Sequence, residues 1–355
     1  MSFTIRPACL SADREEMLDL MSRNFGFRPA HRFDWSHVEN PAGTSWSWLA
    51  FDSNGNGRAH AVAMVSVFPR HMRVNGKPVL AGQVGGFAVD PTHRSLGPAV
   101  MVQRTTFQPV ETGRIAFCYD CPPHERGMST FVRLGMKADC EVFRYAFPLR
   151  VDDNVEKKLG SGIWTKPIRF AGNALLRMRR TGAITPGIEI KHFDDPFGDE
   201  FDHIDEITPS ANIIRACRGS RDLNYRYRLG QAENEAGGGG KVHVLVARRR
   251  GEIEAFAAYL VQTNAIAILL DIFGPGLEVA GSSLLAAIIS DCRKQRLSSF
   301  HAHCSPESRL EPMFLKAGLS RRERNCRVVG YAKGNGATPR AANIQWAFTY
   351  AEVRL

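Results

Sequence analysis

The sequence predicts an α/β (α+β) chain built from two tandem units, and three observations carry that prediction. Strand-like and helix-like patterns alternate from the first residues onward. The stretch FCYDCPPHERGMSTFVRLG (117–135) aligns without gaps on FHAHCSPESRLEPMFLKAG (300–318), so a strand, a turn proline, a helix and its glycine stop recur in register. Finally, 355 residues with 44% hydrophobic and 23% charged positions supply material for two ordinary domains.

Taken in order, FTIRP (3–7) reads as a strand, and Ser11 as the cap of a helix with acids in its first turn and Met17, Leu20 and Met21 on one face. FDWSHVENPAG (33–43) is loop-like, closed by Asn40-Pro41 and Gly43. Strands follow at 46–51, 59–68, 72–74 and 79–89, with Asn75-Gly76 as a hairpin turn. A helix begins near Pro98, a short strand covers 114–119, and a helix around 130–134 stops at Gly135. The strand 142–149 then closes the first unit. In the second half, KVHVLVARRRGEIEAFAAYLVQT is a hairpin turning near Gly251, and 265–273 is the counterpart of the strand at 79–89.

The segment AGQVGGFAVDPTHRSLGPAVMVQ joins a strand to a helix through a turn with the pattern R-x-x-G-x-A, set by Arg94, Gly97 and Ala99. Leu96, Gly97, Ala99 and Val100 each carry an N–H at a helix N-terminus, where the helix dipole favours an anion and Arg94 adds a cation. A diphosphate matches that donor set. Pro98 has no N–H and removes one contact, yet suits the first turn of a helix.

This turn, with Val89, Asp90, Pro91, His93 and Arg94 before it, resembles motif A of the GNAT superfamily of acyl-CoA-dependent N-acetyltransferases. The resemblance implies two GNAT-like units, each a mixed, mostly antiparallel twisted sheet flanked by helices. It also implies acetyl-CoA or another acyl-CoA as co-substrate. The pantetheine arm would lie along Phe87, Ala88 and Val89, and the pyrophosphate in the turn of Arg94, Ser95, Leu96, Gly97, Ala99 and Val100. His93 flanks that turn as a further CoA contact.

Acyl transfer to an amine needs a base, an oxyanion stabiliser and an acid for the departing thiolate. In the family these gather where two parallel strands splay, which here are 84–89 and 114–119. Tyr119 stands where the family often has its acid, and is equally readable as a half-buried strand tyrosine. Gly85 and Gly86 replace the carboxylate common on the first strand. Asp120 is the nearest acid on the adjacent strand, with His124 and Glu125 just after it; any of the three could act through water, and each is equally open to a reading as a turn residue or helix cap.

The counterpart turn, GPGLEVAGS, puts Leu277 in the place of Arg94 and Ala280 in the place of Gly97, so the second unit reads as a degenerate copy. The expected division is a first unit with the acyl-CoA site at 1–150 and a basic bridging segment at 151–185. A second unit at 186–333 and a tail strand at 334–355 complete it.

The formal charge of +10 is concentrated: within 155–182 seven bases stand against Glu156 alone. There Trp164, Ile168, Ala171, Leu175 and Met178 recur at helical spacing opposite Arg169, Arg177 and Arg180. Two readings are open, a bridging helix with a solvated basic face, or attachment of residues 163–180 to an anionic membrane surface. Basic and aromatic residues do not interleave as in a single-strand nucleic-acid groove, which argues against a nucleic-acid partner.

The eight cysteines are scattered, mostly in apolar segments, and Cys118, Cys121, His124 and Cys140 lack a second C-x-x-C to complete a zinc set, so neither metal nor disulfides are expected. No apolar signal core opens the chain and no stretch is long enough to cross a bilayer, which predicts a cytoplasmic protein, peripheral at the inner membrane face under the second reading of the basic segment. WSHVENPAGTS and NYRYR are similar to segments of bacterial tandem GNATs associated with polysaccharide biosynthesis, implying an amino sugar or glycan precursor as acceptor. The alternatives are a catalytically silent CoA-binding scaffold at a membrane assembly, and a Fem-like aminoacyl-tRNA-dependent transferase with a steep salt dependence.

Overall fold

The computed structural model describes residues 3–26, 30–52, 60–93, 96–152, 155–156, 162, 164–178, 182, 184–229, 239–306, 308–334 and 344–353. The fold is mixed α/β with largely antiparallel sheet flanked by helices, in two compact units. Met1–Glu141, Ser210–Cys217 and Cys326–Trp346 make the first, and Val142–Pro209, Arg218–Asn325 and Ala347–Leu355 the second.

In the first unit β1 (Phe3–Pro7), β2 (Trp46–Asp52), β3 (Ala61–Val74) and β4 (Lys77–Val89) form an antiparallel meander. The β3–β4 turn is tight because Asn75 and Gly76 both take positive φ (51° and 80°), the geometry that matches strand twist in a two-residue hairpin. β3 is one continuous strand across 61–74 rather than two, and its opening run is buried on both faces because helices cover both. On one face α1 (Arg14–Phe25) sets Met17, Leu18, Leu20 and Met21 against Leu49, Met64 and Ala88. On the other, Trp48, Val65, Val67 and Val84 meet Val102 of α3 (Leu96–Thr105) and Val110 of α4 (Gln108–Glu111).

The loop expected at 33–43 begins instead as a helix, α2 (Ala30–His37). Phe33 and His37 stand one turn apart and stack at 4.4 Å, both buried, which gives this polar sequence an inward stripe.

β4 runs parallel to β5 (Phe117–Asp120), shorter than the expected 114–119 and shifted toward its C-terminal end. The strand expected at 142–149 to close this unit does not pair with β5. The last part of β13 (Ser320–Ala332) does so, from Val329↔Asp120 to Ala332↔Phe117, and Tyr331 stacks on Phe107 at 4.1 Å. β6 (Cys140–Pro148) instead pairs with β12 (Ser299–Cys304), burying Tyr145 and Phe147 in the second unit's core. The division at 150 therefore moves to 141/142, and the ranges 186–333 and 334–355 each split between the units. β8 (Ile213–Ala216) extends β3, and the tail strand is only β14 (Gln345–Trp346), parallel to β8.

The second unit orders β6, β12, β11 (Ile266–Phe273), β10 (Glu252–Val261), β9 (Lys241–Arg249) and β7 (Glu189–His192), with β12 parallel to β11. A long helix, Leu277–Lys294, buries Leu284, Leu285, Ile288 and Ile289 on one face of this sheet. Phe197 and Phe201 pack on the other, the latter from helix Asp199–Ile207. The duplicated stretch falls on equivalent pieces: β5 with α5 (Glu125–Arg133), and β12 with the helix Leu310–Lys316. Among the described residues no helix is long and apolar enough to cross a membrane.

Candidate active site

Parallel pairing between β4 and β5 is limited to Gly82↔Cys118 and Gln83↔Tyr119, while β4 continues to Val89. The two strands therefore part after Gln83. Gly82 permits their approach, because a Cβ there would collide with the Val67 and Ile115 side chains. Beyond the parting, the β3–β4 register shifts between Met64↔Ala88 and Ser66↔Gly85, leaving one extra residue on β4. Gly86 takes φ +58° inside this bulge, a backbone state that glycine adopts without penalty. Gly86 of the Gly85-Gly86 pair, which reads from sequence as the loss of a carboxylate, thus also meets a local requirement of the bulge.

A chain of buried hydroxyls leads to the same point. His37 Nδ1 lies 2.7 Å from Ser45 Oγ, Ser45 Oγ 3.3 Å from Ser47 Oγ, and Ser47 Oγ 2.8 Å from Ser66 Oγ. Ser66 Oγ is 3.4 Å from where a Gly86 Cβ would stand. Burial holds the His37 pKa down to about 4, so the ring is neutral at pH 7 and one of its nitrogens accepts. A histidine far upstream among isolated serines offers no sequence signal; only the β2–β3 register, Ser47↔Ser66, assembles the chain.

Of the expected site residues, Phe87, Ala88 and Val89 end β4, beyond the parting. Leu96, Gly97, Ala99 and Val100 form the first turns of α3, and Arg94 and Ser95 lie outside the described residues. Tyr119 is fully buried rather than half-buried, its ring 5.4 Å from Trp346 and 6.4 Å from Phe117. Asp120, on the opposite face of β5, keeps some exposure and accepts the Cys121 N–H at 2.7 Å. Burial pushes its carboxyl up to about 7, the range a general base uses at neutral pH.

Neighbouring groups are committed elsewhere. His93 faces Thr92 Oγ1 at 2.8 Å and Asp52 Oδ2 at 3.4 Å. Glu125 accepts from Arg327 at 2.7 Å. Asp90 accepts from Thr92 and Arg23, and these hydrogen bonds outweigh burial to hold its pKa below the usual carboxylate value. The Cys118 thiol is pushed up by burial, which disfavours the thiolate a nucleophile needs.

Residues 4–125, which include β4, the parting and β5, match the family model of the acetyltransferase (GNAT) domain. No curated protein sequence matches the chain. Among solved structures, a probable N-acyltransferase from Enterococcus faecalis aligns at TM-score 0.63 and 14% identity, over 94% of this chain and 73% of that one. Saccharomyces cerevisiae N-myristoyltransferase with bound myristoyl-CoA aligns at 0.57 and 12% identity, over 93% and 82%. Eis1 from Mycobacterium abscessus aligns at 0.59 and 12% identity, over 93% and 74%. At these identities the likeness is one of fold.

Proposed function

We propose that the chain is an acyl-CoA-dependent N-acyltransferase whose reaction takes place in the first unit, at the parting of β4 from β5. The observation that carries this reading is the parting itself, with a bulge on β4 and a carboxyl poised near neutrality at the end of β5. The freed length of β4, Val84–Val89, is an edge along which an extended amide-bearing arm can pair, as the pantetheine of CoA would. The GNAT domain match and the myristoyl-CoA-binding neighbour support a CoA thioester as donor, with acetyl-CoA as the form to test first.

In this reading the amine nitrogen attacks the thioester carbonyl, the C–N bond forms and the C–S bond breaks. Asp120 takes the amine proton, directly or through water, and Tyr119 is the acid assigned to the thiolate. The N–H groups of Phe87 and Ala88 polarise the carbonyl, and those of Leu96, Gly97, Ala99 and Val100, with Arg94 and Ser95, receive the pyrophosphate. The second unit is a degenerate copy in tandem. The acceptor proposed is an amino sugar or glycan precursor, resting on the resemblance of WSHVENPAGTS and NYRYR.

Calorimetric titration with acetyl-CoA tests the donor, comparing the native chain with Gly97→Glu, whose carboxylate would occupy the phosphate turn. Micromolar binding that the substitution abolishes is the expected result. A folded native chain that binds no acyl-CoA would refute the reading.

A further inference from the structure

Helix Thr165–Met178 packs the wrong way round for a bridging helix. The residues turned inward are Thr165, Arg169, Gly172, Asn173 and Leu176, which are polar or small apart from the last. Asn173 accepts the Val151 N–H at 2.9 Å and donates to Asp152 at 3.0 Å, while Gly172 admits the Val151 side chain at a distance where a Cβ would clash. The apolar stripe faces solvent: Trp164 is 86% exposed, Phe170 80%, Met178 78%, Leu175 67% and Ile168 49%. Isolated exposed apolar side chains are ordinary, but a run of large ones on a single helix marks a surface that another phase or partner covers.

We propose that this helix is an interfacial anchor that seats the protein on an anionic membrane surface. The choice of occupant rests on charge. By sequence, residues 155–182 carry seven bases against the single acid Glu156, which Arg169 approaches at 3.4 Å; Lys166 is exposed on the helix, and a segment of this net charge complements acidic headgroups while the stripe enters the acyl boundary. A second copy seated on the same face would set this cationic segment against itself. The inference stands apart from the catalytic reading, since none of its residues belongs to the first unit.

The test is flotation of the full chain with vesicles of phosphatidylcholine and phosphatidylglycerol in equal parts, against vesicles of phosphatidylcholine alone. The native chain is expected to float with the anionic vesicles only, and less at high salt. The triple variant Trp164→Ser, Phe170→Ser, Leu175→Ser is expected to lose about tenfold or more of that partitioning with unchanged melting, because all three side chains are exposed. Absence of flotation by the native chain, or flotation that the triple variant retains, would overturn the proposal. So would a native dimer, seen by light scattering, that the triple variant converts to monomer.

Discussion

The first and second units repeat one order of elements, a long strand, a glycine turn, a helix and a parallel strand, yet they treat the turn and the parting differently. In the first unit the turn after β4 leads through Leu96, Gly97, Ala99 and Val100 into α3, and the parting carries Asp120. In the second, the Gly276 N–H already donates to the Glu254 carbonyl at 2.8 Å, and the Glu254 carboxylate lies where a Gly276 Cβ would fall. Glu278 adds another acid in the first helical turn, so a phosphate would meet negative charge there.

The second parting is filled from within. β11 and β12 stop pairing after Ile268↔His301, and the C-terminal residues enter beyond that point. Thr349 donates to Asp271 at 3.3 Å, the Tyr350 ring lies 4.7 Å from that of His303, and Arg218 bridges Asp271 (2.9 Å) and Glu352 (2.8 Å), all three nearly or fully buried. The second parting is thus occupied by the chain itself, where the first is the one proposed to take a ligand.

The largest effect is expected from breaking the filler. Arg218→Ala removes the cation that hydrogen-bonds both buried carboxylates, leaving them only the field of Arg226, and should cost about 3–5 kcal/mol, read as an early transition in chemical denaturation. An unchanged midpoint would mean that the second parting does not depend on its ion cluster.

Asp120→Asn sharpens the other side of the comparison, with acyl transfer expected to fall about 10²–10⁴-fold at pH 8. Its effect on stability should have the opposite sign. A carboxyl raised to about 7 in the folded protein stays protonated there while it is ionised in the unfolded chain, so it lowers stability as pH rises from about 4 to 7. The variant should therefore melt higher than the native chain at pH 8 and equally at pH 3.5. A variant that melts lower at pH 8 would contradict the raised pKa.

Next comes the pair Gly97→Glu and Glu254→Gln. The first is expected to weaken acetyl-CoA binding at least about tenfold, roughly 1.4 kcal/mol, and the second to leave it unchanged, since only the first turn is assigned a phosphate. Equal losses in the two calorimetric titrations would erase the distinction between the turns. Smallest is Gly86→Ala, which forces a side chain into φ +58° and should cost about 1–2 kcal/mol in thermal melting.

Histidines add a pH dependence common to both units. Burial holds His37 and His301 down at about 4 and His303 at about 3, well below the unfolded value. A group whose folded pKa is depressed in this way contributes neutral-form stability above the unfolded pKa and loses it as pH falls toward 4. His37→Phe should flatten that acid limb if the hydroxyl chain tolerates the loss, and a limb of unaltered slope would assign it to the other two rings.

Much of the frame was legible in local chemistry. Apolar alternation marks the meander, Asn75-Gly76 its hairpin, and the repeat of Phe117–Gly135 in Phe300–Gly318 the doubled strand and helix. Each depends on neighbours in sequence, or on a pattern the chain repeats, so composition and spacing suffice. The glycine-bearing helix start at Gly97 and the acid ending the short strand at Asp120 are local features of the same kind, and their roles are proposals.

What only the tertiary structure decided are choices between equivalent partners. Val142–Pro148 and Cys326–Ala332 are both apolar strands able to close either sheet, and nothing in their own sequence says that each pairs across the repeat. The stripe of Trp164, Ile168, Leu175 and Met178 is amphipathic either way round; the helix turns it outward because Asn173 and Gly172 fit Val151 and Asp152. The pKa of Asp120 and the hydroxyl chain to His37 likewise exist only once distant strands exclude water around them, since burial and register are properties of the assembled sheet and not of the residues that enter it.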